Sequence, residues 1–368
     1  MPVSEDSIWL VTMSDSERRE LSDVPRQSPL PTADLLVLGS GIIGLATAYY
    51  AAEQGLRVQV VTDAPRLGAD AELSLGAIIP NVCRWQLSHT TQQLGQNSRD
   101  CWARLAVRPE FQIDWRVTGA LMVDERRLTP EPRGHMLAAL EEGYSVHAID
   151  ADQVRLLEPQ LSPLPLGGLH YPSEAVLHPL KAVCGFIRGL RRRGGRITQV
   201  DAISNLQWNG GRCSSVETSA GLIQPRHVVV DDPRWLDERI GSASTFESTR
   251  HVFLATNPQP PLLKRPVLEA HWIVQLKTGE IVIEAPVVGD EAAAAVLAIE
   301  RTRQLIPALG NVEFTRAWSG ASQRAADRTP WVARPQGLEN VWTCGGLDFN
   351  HVLFAPIVGK SLVDEMQP

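Results

Sequence analysis

The sequence predicts an α/β protein: a Rossmann-like domain on a parallel sheet, assembled from separated segments, with a second domain on an antiparallel sheet. Three observations predict it. Residues 34–63, DLLVLGSGIIGLATAYYAAEQGLRVQVVTD, read as strand, glycine turn, helix and strand in immediate succession. A second α/β unit begins near Leu177, and from Arg250 to Ala285 the pattern becomes that of antiparallel strands with tight connections.

The first unit is the most specific. Residues 35–38 are a short apolar run, suited to a strand buried on both faces. Gly39, Gly41 and Gly44 follow as G-x-G-x-x-G. In a dinucleotide site the first glycine permits the tight turn, the second lets the backbone approach a pyrophosphate, and the third lets the helix pack closely on the strand. The helix expected over 42–54 is stopped at Gly55. It aims its free N–H groups and positive dipole end at an anion. The second strand is expected over 57–61. An acidic residue at its end binds ribose hydroxyls in dinucleotide folds; here that position is Thr62, with Asp63 one residue on. A bond to a neutral hydroxyl contributes roughly 1 kcal/mol, against about 1.5–3 for a charged acceptor. Side chains alternate faces along a strand, so Asp63 reads either as a substitute or as a solvated loop residue.

The remaining elements follow in order. A connection rich in glycine and alanine spans 64–80. Helices fit 83–105, 135–142 and 151–156, a strand fits 117–123, and 161–168 is a proline-rich loop. Pro179 suits a helix start, 180–193 is helical in pattern, and Gly194-Gly195 stops it. Strands are expected at 196–200, 203–208, 214–218 and 227–230, with a hairpin turn at Asn209-Gly210-Gly211. The antiparallel part comprises 251–256, 271–276 and 280–284; a helix at 292–304, strands at 314–318 and 341–344, and a C-terminal helix at 357–366 complete the chain.

At 368 residues the chain accommodates two domains or one large two-lobed fold. Its 43% apolar and 21% charged content is that of an ordinary soluble protein. A net charge of −7, with no basic stripe, argues against a nucleic-acid partner. Five cysteines without C-x-x-C or metal-ligand spacing predict reduced, structural thiols in a cytoplasmic protein and no metal site. No apolar run approaches the ~20 residues of a membrane span. Residues 1–33 end in VPRQSPLPT and read as a flexible or surface-docked extension, with Met13 an alternative start. Acids at Glu5 and Asp6 and a short apolar run do not make a signal peptide.

The order of parts resembles the FAD-dependent amino-acid and amine oxidoreductases, the family of D-amino acid oxidase, glycine oxidase and sarcosine oxidase. The likeness rests on the 34–61 motif, on HPLKAVCGFIRGLRRRGGRI, and on LIPAL followed by RAWSG and a C-terminal glycine turn. It implies FAD as cofactor, and a small amine or amino acid oxidised by hydride transfer to flavin N5. It implies an FAD-binding domain from 34–82, 148–236 and 318–368, and a substrate domain from 83–147 and 237–317. By the same resemblance the amides of Ser40, Gly41, Ile42, Ile43 and Gly44 hold the diphosphate, and Ile203 meets the adenine through its main chain. Gly346 keeps the glycine-rich flavin loop.

Several positions depart from the family pattern. Asp231, Asp232 and Pro233 stand where Ala-Ala-Gly is usual, and proline supplies no N–H. Ser322 replaces the arginine that pairs with the substrate carboxylate; Arg324, two residues on, offers the planar fork that such pairing requires. Leu347, Phe349 and His351 replace a histidine and two glycines. Arg324 is therefore either the anion anchor or a surface arginine, and His351 either an acid/base group or a packed loop histidine. Two functional readings stay open: a flavoenzyme with an altered site, or a non-catalytic, flavin-poor relative acting as a structural or regulatory subunit in a hetero-oligomer with an active paralogue.

Overall fold

The computed structural model describes residues 6–80, 89–124, 145–163, 167–231, 246–325 and 331–366. The helix expected at 135–142, and Asp232 and Pro233, lie outside these residues.

Strand Thr32–Leu38 runs parallel to Val58–Thr62 on one side and Gly221–Val230 on the other, with Leu38 opposite both Val61 and Val230. Val341–Gly345 extends the parallel sheet on Gly221–Val230, and the hairpin of Ile203–Asn209 and Arg212–Thr218 continues it antiparallel. Alternation decides which layer each side chain enters. Leu35 and Val37 pack under helices Ile42–Glu53, Pro179–Arg192 and His351–Glu365, whereas Leu36 and Leu38 pack beneath the hairpin. Both faces are covered, so residues 35–38 have no exposed surface.

The second sheet has eight strands in the order 314–325, 246–256, 281–286, 272–275, 267–268, 120–124, 167–171 and 147–150. All its pairings are antiparallel except that of Val267–Leu268 with Ala120–Asp124. Strands His147–Asp150, Gly167–Tyr171 and Phe314–Ala325 thus lie in this sheet. The last strand runs seven residues past the expected 318, because Phe246–Thr256 pairs with it along its whole length. Ser319, Gly320, Ala321 and Ser322 carry no strand-favouring side chains, so this extension comes from the partner.

Two further departures have local causes. The C-terminal helix begins at His351, before Pro356, rather than at 357. A proline there leaves the carbonyl of Val352 without its helical N–H, and the indole Nε1 of Trp102 donates to that oxygen at 3.0 Å. The N-terminal extension is docked: Ile8–Val11 and Asp15–Ser22 are helical, the second held by a Ser14–Glu17 capping box. Trp9 is 1% exposed and donates its Nε1 proton to the Ser74 carbonyl at 2.9 Å. No described helix is long and apolar enough to cross a membrane.

Candidate dinucleotide site

The strand Thr32–Leu38 ends at Gly39, whose φ of +113° is open to glycine and strained for other residues. Gly41 caps the helix Ile42–Glu53 in extended conformation and has no side chain with which to satisfy the first-turn amides. The protein satisfies them with two carboxylates from distant loops. Asp70 accepts from the Ile42 N–H through both oxygens, each at 3.1 Å. Asp231 Oδ1 accepts from the Gly44 N–H at 2.9 Å. These acids press on the glycines: a Cβ on Gly41 would lie 2.6 Å from Asp231 Oδ2 and 3.0 Å from Asp70 Oδ2, and one on Gly44 2.7 Å from Asp231. The close approach that the glycines permit is made by side chains of the same chain.

Sequence order explains how the acids arrive. Asp231 directly follows Val230, the end of the strand beside Leu38, and its own N–H donates to the Leu38 carbonyl at 2.9 Å. Asp70 lies in a short 3₁₀ turn, Ala69–Glu72, entered through Gly68 at φ +64°. The Gly68 N–H donates to the Ser40 carbonyl at 2.7 Å, which fixes the turn over the helix end. Although Asp70 as a residue is partly exposed, its carboxyl is enclosed, and burial pushes its pKa up; His351 and the amides it accepts from act in the opposite direction. The Cys344 thiol is raised well above its usual value by burial and by the charges of Asp231 and Asp70, so it is an inert thiol.

The other expected cofactor contacts are placed as follows. Thr62 is 1% exposed; its hydroxyl lies 3.1 Å from that of Ser40 and accepts from the Ala64 N–H at 3.0 Å. Asp63 follows the strand end as a partly exposed residue. Ile43 is buried in the core and its carbonyl accepts from the Thr47 hydroxyl. Ile203 opens the hairpin strand opposite Thr218 and packs beneath the sheet. Gly346 is left-handed at φ +69°. Beyond it Phe349 turns onto the antiparallel sheet, its ring stacked 3.9 Å from that of His251.

The two candidate catalytic side chains are separated by their partners. Arg324 pairs with Glu247 at 2.9 Å across neighbouring strands. His351 is 9% exposed; its Nδ1 lies 2.8 Å from the Asp348 carbonyl and its Nε2 3.0 Å from the Asp70 carbonyl. Both partners are acceptors, so a neutral ring, which has one N–H, donates to one of these two carbonyls. The Ser322 hydroxyl, at the position expected to hold arginine, donates to the Asp348 carbonyl at 2.7 Å and ties down the same loop. No cluster of metal-ligating side chains occurs among the described residues.

Residues 34–365 match the family model described as FAD dependent oxidoreductase. The chain belongs to that family. It is of the amino-acid and amine oxidase type, and FAD is the family's cofactor. It is 22% identical to glycine oxidase of Bacillus licheniformis over 90% of this chain and 92% of that protein. It is 21% identical to mitochondrial dimethylglycine dehydrogenase of Mus musculus, over 95% of this chain and 44% of that protein. Among solved structures, glycine oxidase from Bacillus cereus superposes with a TM-score of 0.79 at 20% identity, covering 91% of this chain and 94% of that one. L-proline dehydrogenase from P. horikoshii superposes with a TM-score of 0.80 at 18% identity, covering 93% of each.

The described residues do not fit a diphosphate at the glycine turn. The N–H groups of Ile42 and Gly44 already donate to carboxylates, and the space over Gly41 holds carboxylate oxygens. When ionised, the two acids carry a formal charge of the same sign as a diphosphate and repel it. The sequence signal for half of this arrangement was the replacement of small residues by Asp231. Asp70 carried a weaker one, an acid within a connection of mainly small and apolar residues.

Proposed function

We propose that this chain keeps the architecture of the FAD-dependent oxidoreductases but holds its dinucleotide turn with its own acids, and works as a flavin-poor, non-catalytic subunit. Its role is then structural or regulatory, in a cytoplasmic hetero-oligomer with an active, related flavoprotein. One observation carries this reading: Asp70 and Asp231 take the hydrogen bonds of the Ile42 and Gly44 amides that a diphosphate requires. The pairing of Arg324 with Glu247 and the position of His351 between two main-chain carbonyls support it.

The second reading is oxidation of a small amine or amino acid by hydride transfer to flavin N5, with Arg324 as anion anchor and His351 as a polar contact. The family match over residues 34–365 favours it, and it requires both carboxylates to leave the helix end. An absorption spectrum of the purified protein separates the two. A protein that stays colourless through incubation with excess FAD and gel filtration supports the first reading. Stoichiometric visible flavin bands refute it in favour of the second.

A further inference from the structure

A cavity of about 290 Å³ lies away from the glycine turn, between the N-terminal helix Ile8–Val11, the start of helix Pro179–Arg192 and the end of strand Trp272–Gln275 with the turn that follows it. Its lining is of two kinds. Trp9, Leu75, Val176, Val274 and Leu276 are apolar. Arg116, Lys181 and Lys277 bring three positive charges, against the single carboxylate of Asp114.

Two features set this lining apart from an ordinary packing gap. The Nε of Arg116 is buried without a hydrogen-bond partner, an arrangement that native interiors avoid. Asp114 has φ +54°, a backbone state that residues with a side chain seldom adopt. Its carboxylate is held 2.7 Å from Lys181 Nζ and 3.6 Å from Lys277 Nζ. His178 is occupied as well: it is 6% exposed, with Nε2 3.0 Å from the Thr12 hydroxyl and Nδ1 accepting from the Lys181 N–H at 3.3 Å. Burial and Lys181 lower its pKa to about 4, so it adds no charge near neutral pH. Among the lining residues cations outnumber carboxylates, both lysines pair with Asp114, and the lining donor without a partner is the guanidinium Nε of Arg116.

We propose that this cavity binds a small carboxylate carrying an apolar body, with the carboxylate on Arg116 and the body against Trp9 and Leu276. A guanidinium presents two parallel donors that match a carboxylate. The volume is at the lower end of the roughly 300–1,000 Å³ of small-molecule sites, which suits a compact acid. The docked N-terminal extension completes the site through Trp9 and Thr12. The proposal is independent of whether the glycine turn takes up FAD.

Calorimetric titration of the full chain with phenylacetate tests it, with phenylacetamide and inorganic phosphate as comparison probes. Saturable phenylacetate binding is expected, at least tenfold weaker in Arg116→Gln, partly restored in Arg116→Lys, and weaker in Trp9→Phe. Melting temperatures of the Arg116 variants are expected to stay near that of the parent, because the side chain has no partner at Nε to lose. No saturable binding, unchanged affinity in Arg116→Gln, or equal binding of phenylacetamide would overturn the proposal. Phosphate binding as tightly as phenylacetate would overturn the assignment to an apolar carboxylate.

Discussion

The imidazole Nε2 of His351 stands 3.0 Å from the main-chain oxygen of Asp70, joining the C-terminal loop to the acidic turn over the helix end. A neutral ring has one N–H for this carbonyl and that of Asp348, so replacing His351 with Ala removes one hydrogen bond and the packing of the ring. Unsatisfied buried acceptors cost about 1–3 kcal/mol each, and relaxation or water recovers part of this. His351→Ala is expected to lose about 2 kcal/mol in urea denaturation, and an unchanged midpoint would contradict the contact.

The pressure of Asp231 on Gly44 gives a test that needs no flavin. A Cβ at position 44 would lie 2.7 Å from the Asp231 carboxyl, so Gly44→Ala should destabilise the parent by about 1–3 kcal/mol, the usual range for overpacking. With Asp231→Ala in place the same change should be neutral, or stabilise by up to about 1 kcal/mol through helix propensity. A double-mutant cycle without coupling would mean that the carboxylate does not sit there.

His178 makes stability depend on pH. Burial lowers its pKa from 6.5 to about 4. The folded state therefore favours the neutral ring, and the associated stability is present above pH 6.5 and lost as pH falls toward 4. A displacement of that size corresponds to about 3 kcal/mol. His178→Asn keeps a helix-capping group for the Lys181 N–H but does not titrate. Its stability should fall less than the parent's between pH 7 and 4, as measured by denaturation at each pH.

Glu158 is fully buried and accepts from the Lys264 N–H and from Arg265 Nε at 2.9 Å. Burial raises its pKa in spite of these partners. Arg265→Met leaves a buried carboxylate with its charged partner gone, and a loss of about 3–5 kcal/mol is expected at pH 7. The loss should shrink as the medium is acidified and the carboxyl protonates.

A chain begun at Met13 lacks Ile8 and Trp9, which are 2% and 1% exposed. Removing a buried tryptophan alone costs about 3–5 kcal/mol. The shortened chain should melt well below the full one, and equal melting would show that the N-terminal helix contributes nothing.

What was legible in the sequence was what is local in it. The strand, glycine turn and helix from Asp34 onward are specified by neighbours a few residues apart, and they stand as expected. The acid pair is not local: Asp231 and Gly44 are 187 residues apart. The sequence identified Asp231 as an unusual residue at a flavin position, but only the adjacency of strands Thr32–Leu38 and Gly221–Val230 directs its carboxyl inward. Asp70 had no periodic pattern to mark it. The helix before Pro356 was hidden because proline normally breaks one, and the indole that compensates comes from a different helix.

A helix end left open by its own chain is stabilised when ligand arrives, so such a protein gains stability with ligand concentration. Here Asp70 and Asp231 already complete the end of the first helix. The folded chain is expected to accumulate to the same level in cells starved of riboflavin as in cells supplied with it.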